Sequence, residues 1–118
     1  MEKNIGIYEI LEQAVRDEDV SDIFLVAGLP VTMKRNGRQK RIGDKMMMPD
    51  VIGRLVDEIY REAHRDRTRL DRGEDDDFSL SMSRRETEQG TFPGGRFRVN
   101  VFRQRGSLAA VIRVIRFE

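Results

Sequence analysis

Apolar residues first recur at helical spacing, with Ile7, Ile10, Leu11, Ala14 and Val15 separated by Glu9, Glu12, Gln13 and Arg16. The pattern predicts an amphipathic helix of about three turns, with Asn4 as its N-cap. Asp22 to Ala27 is then a short, apolar, β-branched and aromatic run stopped by Gly28-Leu29-Pro30, which reads as a buried strand. Val31 to Arg35 and Arg38 to Ile42 flank Asn36-Gly37. That dipeptide predicts a hairpin, because both central residues of a type I′ turn need positive φ.

Helical spacing returns at Val51, Ile52, Leu55, Val56, Ile59 and Tyr60, behind Pro49 and Asp50, which suit a first turn. This helix should reach about Ala63. A polar helical piece over Arg65 to Arg72 should end at Gly73. Period two then takes over: Phe78, Leu80 and Met82 alternate with Ser79, Ser81 and Ser83. After a polar loop from Arg84 to Gly95, Phe97, Val99 and Val101 alternate with Arg96, Arg98 and Asn100, and Gly106-Ser107 turns the chain. Leu108 to Phe117 is apolar on both faces except at Arg113 and Arg116, the mark of a central strand. The implied architecture is α+β, with helices on a mainly antiparallel sheet. A chain that stops on its last core strand, at Glu118, reads as one that continues into a longer protein.

Composition narrows the class. The 118 residues carry 22 basic and 21 acidic side chains, a net charge of +1, so no global field favours nucleic acid or membrane. A length near a hundred residues allows one domain with one core. There is no cysteine, which removes disulfides, thiolate metal sites and cysteine nucleophiles and leans towards a reducing compartment. No stretch approaches the roughly 20 apolar residues of a membrane helix, and the N-terminus lacks the pattern of a signal peptide. A soluble, cytoplasmic domain is expected.

Candidate chemistry is sparse. His64 is the sole histidine and sits at a helix end, where a dipole partner is the simpler reading. Glu74-Asp75-Asp76-Asp77 lacks the alternation of a calcium loop and reads as a solvated strand entrance, or as a docking surface for a basic partner. Gly90 to Gly95 leads into Arg96-Phe97 and a strand, whereas a P-loop needs Lys-Ser or Lys-Thr opening a helix. This chain alone should therefore hydrolyse no nucleotide. Met46-Met47-Met48 is a core edge or a soft binding surface.

The closing 25 residues stand apart, because Arg96, Arg98, Arg103, Arg105, Arg113 and Arg116 face a single acid, Glu118. Arg113 shares a strand face with Ala109, Val111, Ile115 and Phe117, and a guanidinium there needs either an acid of this domain or an anion from outside. Whether Arg98 shares that face depends on register. Nucleic acid is a weaker target, because aromatic residues do not interleave with the basic ones on one face.

Several blocks resemble one family. Ser21-Asp22-Ile23-Phe24-Leu25-Val26-Ala27-Gly28-Leu29-Pro30-Val31, Asn36-Gly37, Asp77-Phe78-Ser79-Leu80-Ser81, Gly95-Arg96-Phe97-Arg98-Val99-Asn100-Val101-Phe102-Arg103-Gln104-Arg105-Gly106 and Leu108 to Ile115 are similar to the N-terminal domain of type IV pilus retraction (twitching motility) ATPases, of the secretion ATPase superfamily. The resemblance runs from about Leu11 to Ile115. It implies a single PAS-like domain over residues 1–118, with about six strands, preceding a RecA-like motor domain that carries the P-loop, Asp-box and Walker B elements. It also implies six subunits in a cytoplasmic ring beneath the inner membrane. Partners would be the motor domains of the same and neighbouring subunits and the inner-membrane platform protein. ATP and Mg²⁺ would belong to the full-length parent, with Arg98 and Arg113 of this domain reaching the nucleotide phosphates. The fragment itself would carry no cofactor and no catalytic or metal-binding residue, and would be a monomer or weak dimer. Phe24 departs from the family, which usually has His there, and the Arg84 to Gly95 loop is longer and more polar than expected. The alternative is a free-standing PAS-like module that binds a small ligand or a protein.

Overall fold

The computed structural model describes residues 5–88 and 90–116; Asn4, Phe117 and Glu118, which carried sequence-based expectations, lie outside them. Helix α1 (Ile7–Arg16) buries Ile7, Ile10, Leu11 and Ala14, the stripe its periodicity predicts. Its N-cap is Gly6, which offers no side chain to the first turn. The amide of Ile7 instead donates to Glu58 Oε1 at 2.9 Å, so a residue of the second helix satisfies one of the orphan donors. Arg54 locks this junction by donating to Glu58 at 2.7 Å and to the Ile5 carbonyl at 2.8 Å.

Strands β1 (Val20–Val26), β2 (Val31–Arg35) and β3 (Arg38–Ile42) follow, and then helix α2 (Pro49–Ala63). Asn36 and Gly37 take φ of 53° and 78°, the paired left-handed conformation expected of this hairpin turn. β1 begins two residues before the predicted start, with an irregularity between Val20 and Asp22. Helix α3 is only Thr68–Asp71, shorter than the predicted Arg65 to Arg72. His64 ends α2 in the left-handed conformation (φ 52°), and Arg65 leaves the helical path to bind an acid of the next strand. Strands β4 (Asp76–Met82), β5 (Arg85–Thr87), β6 (Gly90–Phe92), β7 (Gly95–Gln104) and β8 (Ser107–Ile115) complete the chain. The turn between β7 and β8 is Arg105-Gly106 rather than Gly106-Ser107, because Gln104 pairs with Ser107.

The expected polar loop is a short hairpin, β5–β6. Three residues a side are too few for alternation to register as a pattern. It lies on α1, where Arg16 donates to the Thr91 carbonyl at 2.7 Å, the Thr87 hydroxyl contacts Glu12 at 3.3 Å and Arg85 stacks 3.6 Å over Tyr8. Phe92 is buried beneath it. Gly94 closes the connection at φ 84°, where a Cβ would come within 2.8 Å of the Met82 carbonyl oxygen.

The main sheet has order β3-β2-β1-β8-β7-β4 and is antiparallel throughout, with β8 central as its two-sided apolar pattern predicts. One face packs Ile23, Leu25, Met33, Phe78, Leu80, Phe97, Val99, Ile112 and Val114 into the helix-covered core. The opposite face is open. Among the described residues no helix is long and apolar enough to cross a membrane.

Asp76 is no solvated strand entrance: its side chain is 1% exposed and holds α2 to the sheet. The Tyr60 hydroxyl donates to Oδ2 at 2.7 Å, and Arg65 forms a two-pronged bond at 2.8 and 2.7 Å. Arg65 also lies 4.9 Å over Phe78, whose ring packs 5.0 Å from that of Tyr60. The Arg65 fork holds the Asp76 carboxyl below its ordinary pKa, more than offsetting the opposing effect of burial. Burial and the bond to Asp76 raise the Tyr60 hydroxyl above its usual value.

Because the Asp76 pKa is depressed on folding, its stabilisation is present above the unfolded carboxyl's pKa near 3.8 and fades as pH falls through the lower folded value. Asp76→Asn should lower unfolding free energy at pH 7 by about 2–3 kcal/mol in urea denaturation. It should also flatten the acid limb of stability against pH below about pH 4. A variant with wild-type stability and an unchanged acid limb would show that this network does not hold α2.

Candidate functional site

The helix-facing alternation dictates what lies on the open face. Phe97, Val99 and Val101 on β7 and Ala110, Ile112 and Val114 on β8 turn towards the helices. Their neighbours Arg96, Arg98, Asn100, Val111, Arg113 and Ile115 must turn the other way, because successive side chains alternate across a strand. Register then brings Arg98 of β7 directly opposite Arg113 of β8, and Asp22 of β1 opposite Arg113 on its other side. The two arginines singled out in the sequence are thus nearest neighbours on one face.

Arg113 is not a guanidinium in a closed apolar layer. Its side chain is 73% exposed, and an acid of the domain partners it: Nε lies 3.3 Å from Asp22 Oδ1. Asp22 is itself nearly buried and accepts from the Ser21 hydroxyl at 2.7 Å, which makes it a fixed anchor. Arg98 is 56% exposed, and its Nε donates to Asp77 Oδ1 at 2.8 Å, a bond that raises the guanidinium's pKa above its ordinary value. Both guanidiniums are therefore held through Nε. Among the described residues, no hydrogen bond engages their terminal nitrogens.

Two like charges directly opposite on adjacent strands repel. Asp22 and Asp77 offset that repulsion from the flanks, and among the described residues no acid is bonded between the two arginines. The arrangement suits an anion with several oxygens, because the planar fork offers parallel donors to carboxylate or phosphate. The sequence pattern did not reveal Asp22 and Asp77 as the anchors. Asp22 looked like a strand terminus and Asp77 like part of a solvated acidic run; only the pairing of β1 with β8 and of β4 with β7 places them here.

The remaining arginines of the basic segment divide. Arg116 donates to the carbonyls of Val15, Ala14, Asp17 and Val20, at 3.2, 2.9, 2.6 and 2.8 Å, and so caps the C-terminal end of α1. Arg103 donates to the Leu70 carbonyl at 3.1 Å, and Arg105 shapes the β7–β8 turn at φ 54°. Arg96 is exposed, in register with Ile115, and makes an interaction of its own. Phe24 sits on the open face, in the row next to Asp22 and Arg113, between Thr32 and Val111. His64 is exposed at the end of α2, and of the three consecutive methionines Met47 is buried while Met46 and Met48 are exposed.

No family model matches the chain. Over 108 residues, 92% of its length, it is 30% identical to the type IV pilus ATPase PilU of Pseudomonas aeruginosa, of which it spans 25%. The crystal structure of the pilus retraction motor PilT with bound ADP superposes on 97% of the chain with a TM-score of 0.73 and 31% identity, the match covering 30% of PilT. The ATPase DotB of Legionella pneumophila, at 22% identity and a TM-score of 0.71, shares the fold. The chain thus spans between a quarter and a third of each relative. Sequence and fold together support an N-terminal domain of a type IV pilus or secretion ATPase.

The exposed arginine pair should contribute little to folding, since solvent-facing ion pairs are worth about 0–1 kcal/mol. Arg98→Ala should leave the unfolding free energy measured in urea within about 0.5 kcal/mol of the parent domain, and Arg113→Ala should lower it by no more than about 1 kcal/mol, the larger figure because the nearly buried Asp22 loses its cation. A loss several times larger for either variant would make the pair a structural element.

Proposed function

We propose that this chain, an N-terminal domain of the type IV pilus and secretion ATPase kind, forms one wall of a nucleotide cleft in a longer motor protein. Arg98 and Arg113 would be its phosphate contacts. The observation that carries this reading is the pair of arginines opposite each other on adjacent strands, each more than half exposed and bonded to an acid through Nε. In this reading the domain is a PAS-like module before a RecA-like motor domain that holds ATP and Mg²⁺. Six subunits form a cytoplasmic ring at the inner membrane, and the open sheet face packs on motor domains of the same and neighbouring subunits. Ring motion passes through these faces to the platform protein and drives pilus retraction.

The chemistry asked of the pair is electrostatic. Bonds from Arg98 and Arg113 to the terminal phosphate favour the state in which the two domains are closed, and loss of that phosphate on hydrolysis removes the difference in contact. A ligand shifts such an equilibrium only by its differential affinity for the two states, so the arginines must reach the phosphate in one state and not in the other. Phe24 supplies no polar donor to this face, which leaves the work to the guanidiniums.

In the full-length parent, Arg113→Ala and Arg98→Ala should each lower steady-state ATP turnover about ten- to a hundredfold, the equivalent of one charge-assisted hydrogen bond, with assembly intact by gel filtration. Arg113→Lys should recover only part of it, since a point charge lacks the fork. Unchanged turnover in both alanine variants would overturn the assignment.

A further inference from the structure

At the opposite side of the sheet from the Asp77 anchor, β3 is an edge with no neighbour beyond it among the described residues. Four of its five residues are exposed. The two-residue turn makes Arg35 and Arg38 the closing hydrogen-bonded pair, with Met33–Lys40 and Val31–Ile42 next in the ladder. The N–H and C=O groups of Gln39 and Arg41 therefore point away from β2 into solvent. Arg38, Lys40 and Arg41 have no acidic partner among the described residues, whereas Arg35 on the same hairpin binds Asp17 and Asp19 at 2.9 Å each. Where β3 ends, a groove of about 180 Å³ opens, lined mainly by apolar residues such as Ile42, Met47 and Val51, with Asp44 and Lys45 also in its lining.

We propose that β3 is a docking edge for an acidic, extended polypeptide segment that adds a strand to the sheet and places one aliphatic side chain in this groove. Free backbone groups at Gln39 and Arg41 supply the main-chain pairing, and the three unmatched cations supply the charge preference. Register specifies the ligand further. Ile42, Lys40 and Arg38 face the helix side, and Arg41 and Gln39 the open side. An antiparallel partner would read, from N- to C-terminus and starting at the residue opposite Ile42, as apolar, acid, acid, any residue, acid, the last lying opposite Arg38. Lysine and arginine also protect bare edges from self-pairing, because two basic edges repel. That property rejects a second β3 while admitting an acidic strand. The proposal is independent of the Arg98–Arg113 reading, since the two sites lie on different strands.

The test uses the 118-residue chain and a fluorescein-labelled peptide, Ser-Thr-Leu-Glu-Glu-Thr-Glu-Thr-Ser, followed by fluorescence anisotropy and by amide hydrogen exchange. Saturable binding that slows exchange at Gln39 and Arg41 is expected. It should be weakened about tenfold or more in the combined variant Arg38→Glu, Lys40→Glu, Arg41→Glu, and absent for the peptide with Lys in place of Glu. Because the triple variant carries its changes on an exposed edge, its fold can be checked by the same exchange pattern in the core strands. The exchange readout on the unmodified chain stands even if the variant misfolds. Absence of binding, or binding that leaves both amides exchanging freely, would overturn strand addition. Retention on phosphatidylglycerol vesicles without peptide binding would make this edge a membrane contact and overturn it equally.

Discussion

The molecule depends on the antiparallel register of β7 against β8. Phe97, Val99, Ala110, Ile112 and Val114 must all face the helices for the core to close, and a side-chain period of two leaves no freedom for the residues between them. A slip of one residue on either strand would drive a guanidinium under α2 and expose a core side chain. The packing of the buried face thereby sets Arg98 opposite Arg113 on the other one, at no cost in designed contacts between them. The pairing of the two arginines is thus the by-product of a hydrophobic constraint on the reverse side of the sheet.

Arginine serves two opposed ends in this fold. Arg65 and Arg116 are structural: one satisfies a buried carboxylate, the other gathers four carbonyls where α1 meets the sheet. In both, several donors of one planar fork are used at once, which is what lysine cannot do. Arg98 and Arg113 are held by a single nitrogen each and remain more than half exposed. The contrast in donor usage separates arginines that stabilise the domain from those free to meet something outside it. It does so where charge counting, at a net of +1, is silent.

The two sides of the sheet are finished differently. The β4 side is tied into α2 through Asp76 and Tyr60, and its exposed acid is occupied by Arg98. The β3 side carries unmatched cations, free main-chain groups and an apolar groove. Similarity to PilU and PilT extends over more than nine-tenths of the chain, which spans about a quarter to a third of those proteins.

Local pattern alone determined most elements of this chain: the helical stripes of α1 and α2, the Asn36-Gly37 hairpin, the alternation of β4 and β7 and the central position of β8. These depend on periodicity and turn chemistry within a few residues. It missed the β5–β6 hairpin, whose strands are too short to show a period, and it extended α3 over Arg65 to Arg67, where Arg65 instead binds Asp76 of β4. It also named Arg98 and Arg113 without being able to join them. Tertiary structure decided which acids anchor them, that Asp76 is buried rather than solvated, and which edge stays open. Those outcomes hang on pairings between residues as distant as Asp22 and Arg113, and strand register across such separations is fixed by the packing of the whole core rather than by any segment of it.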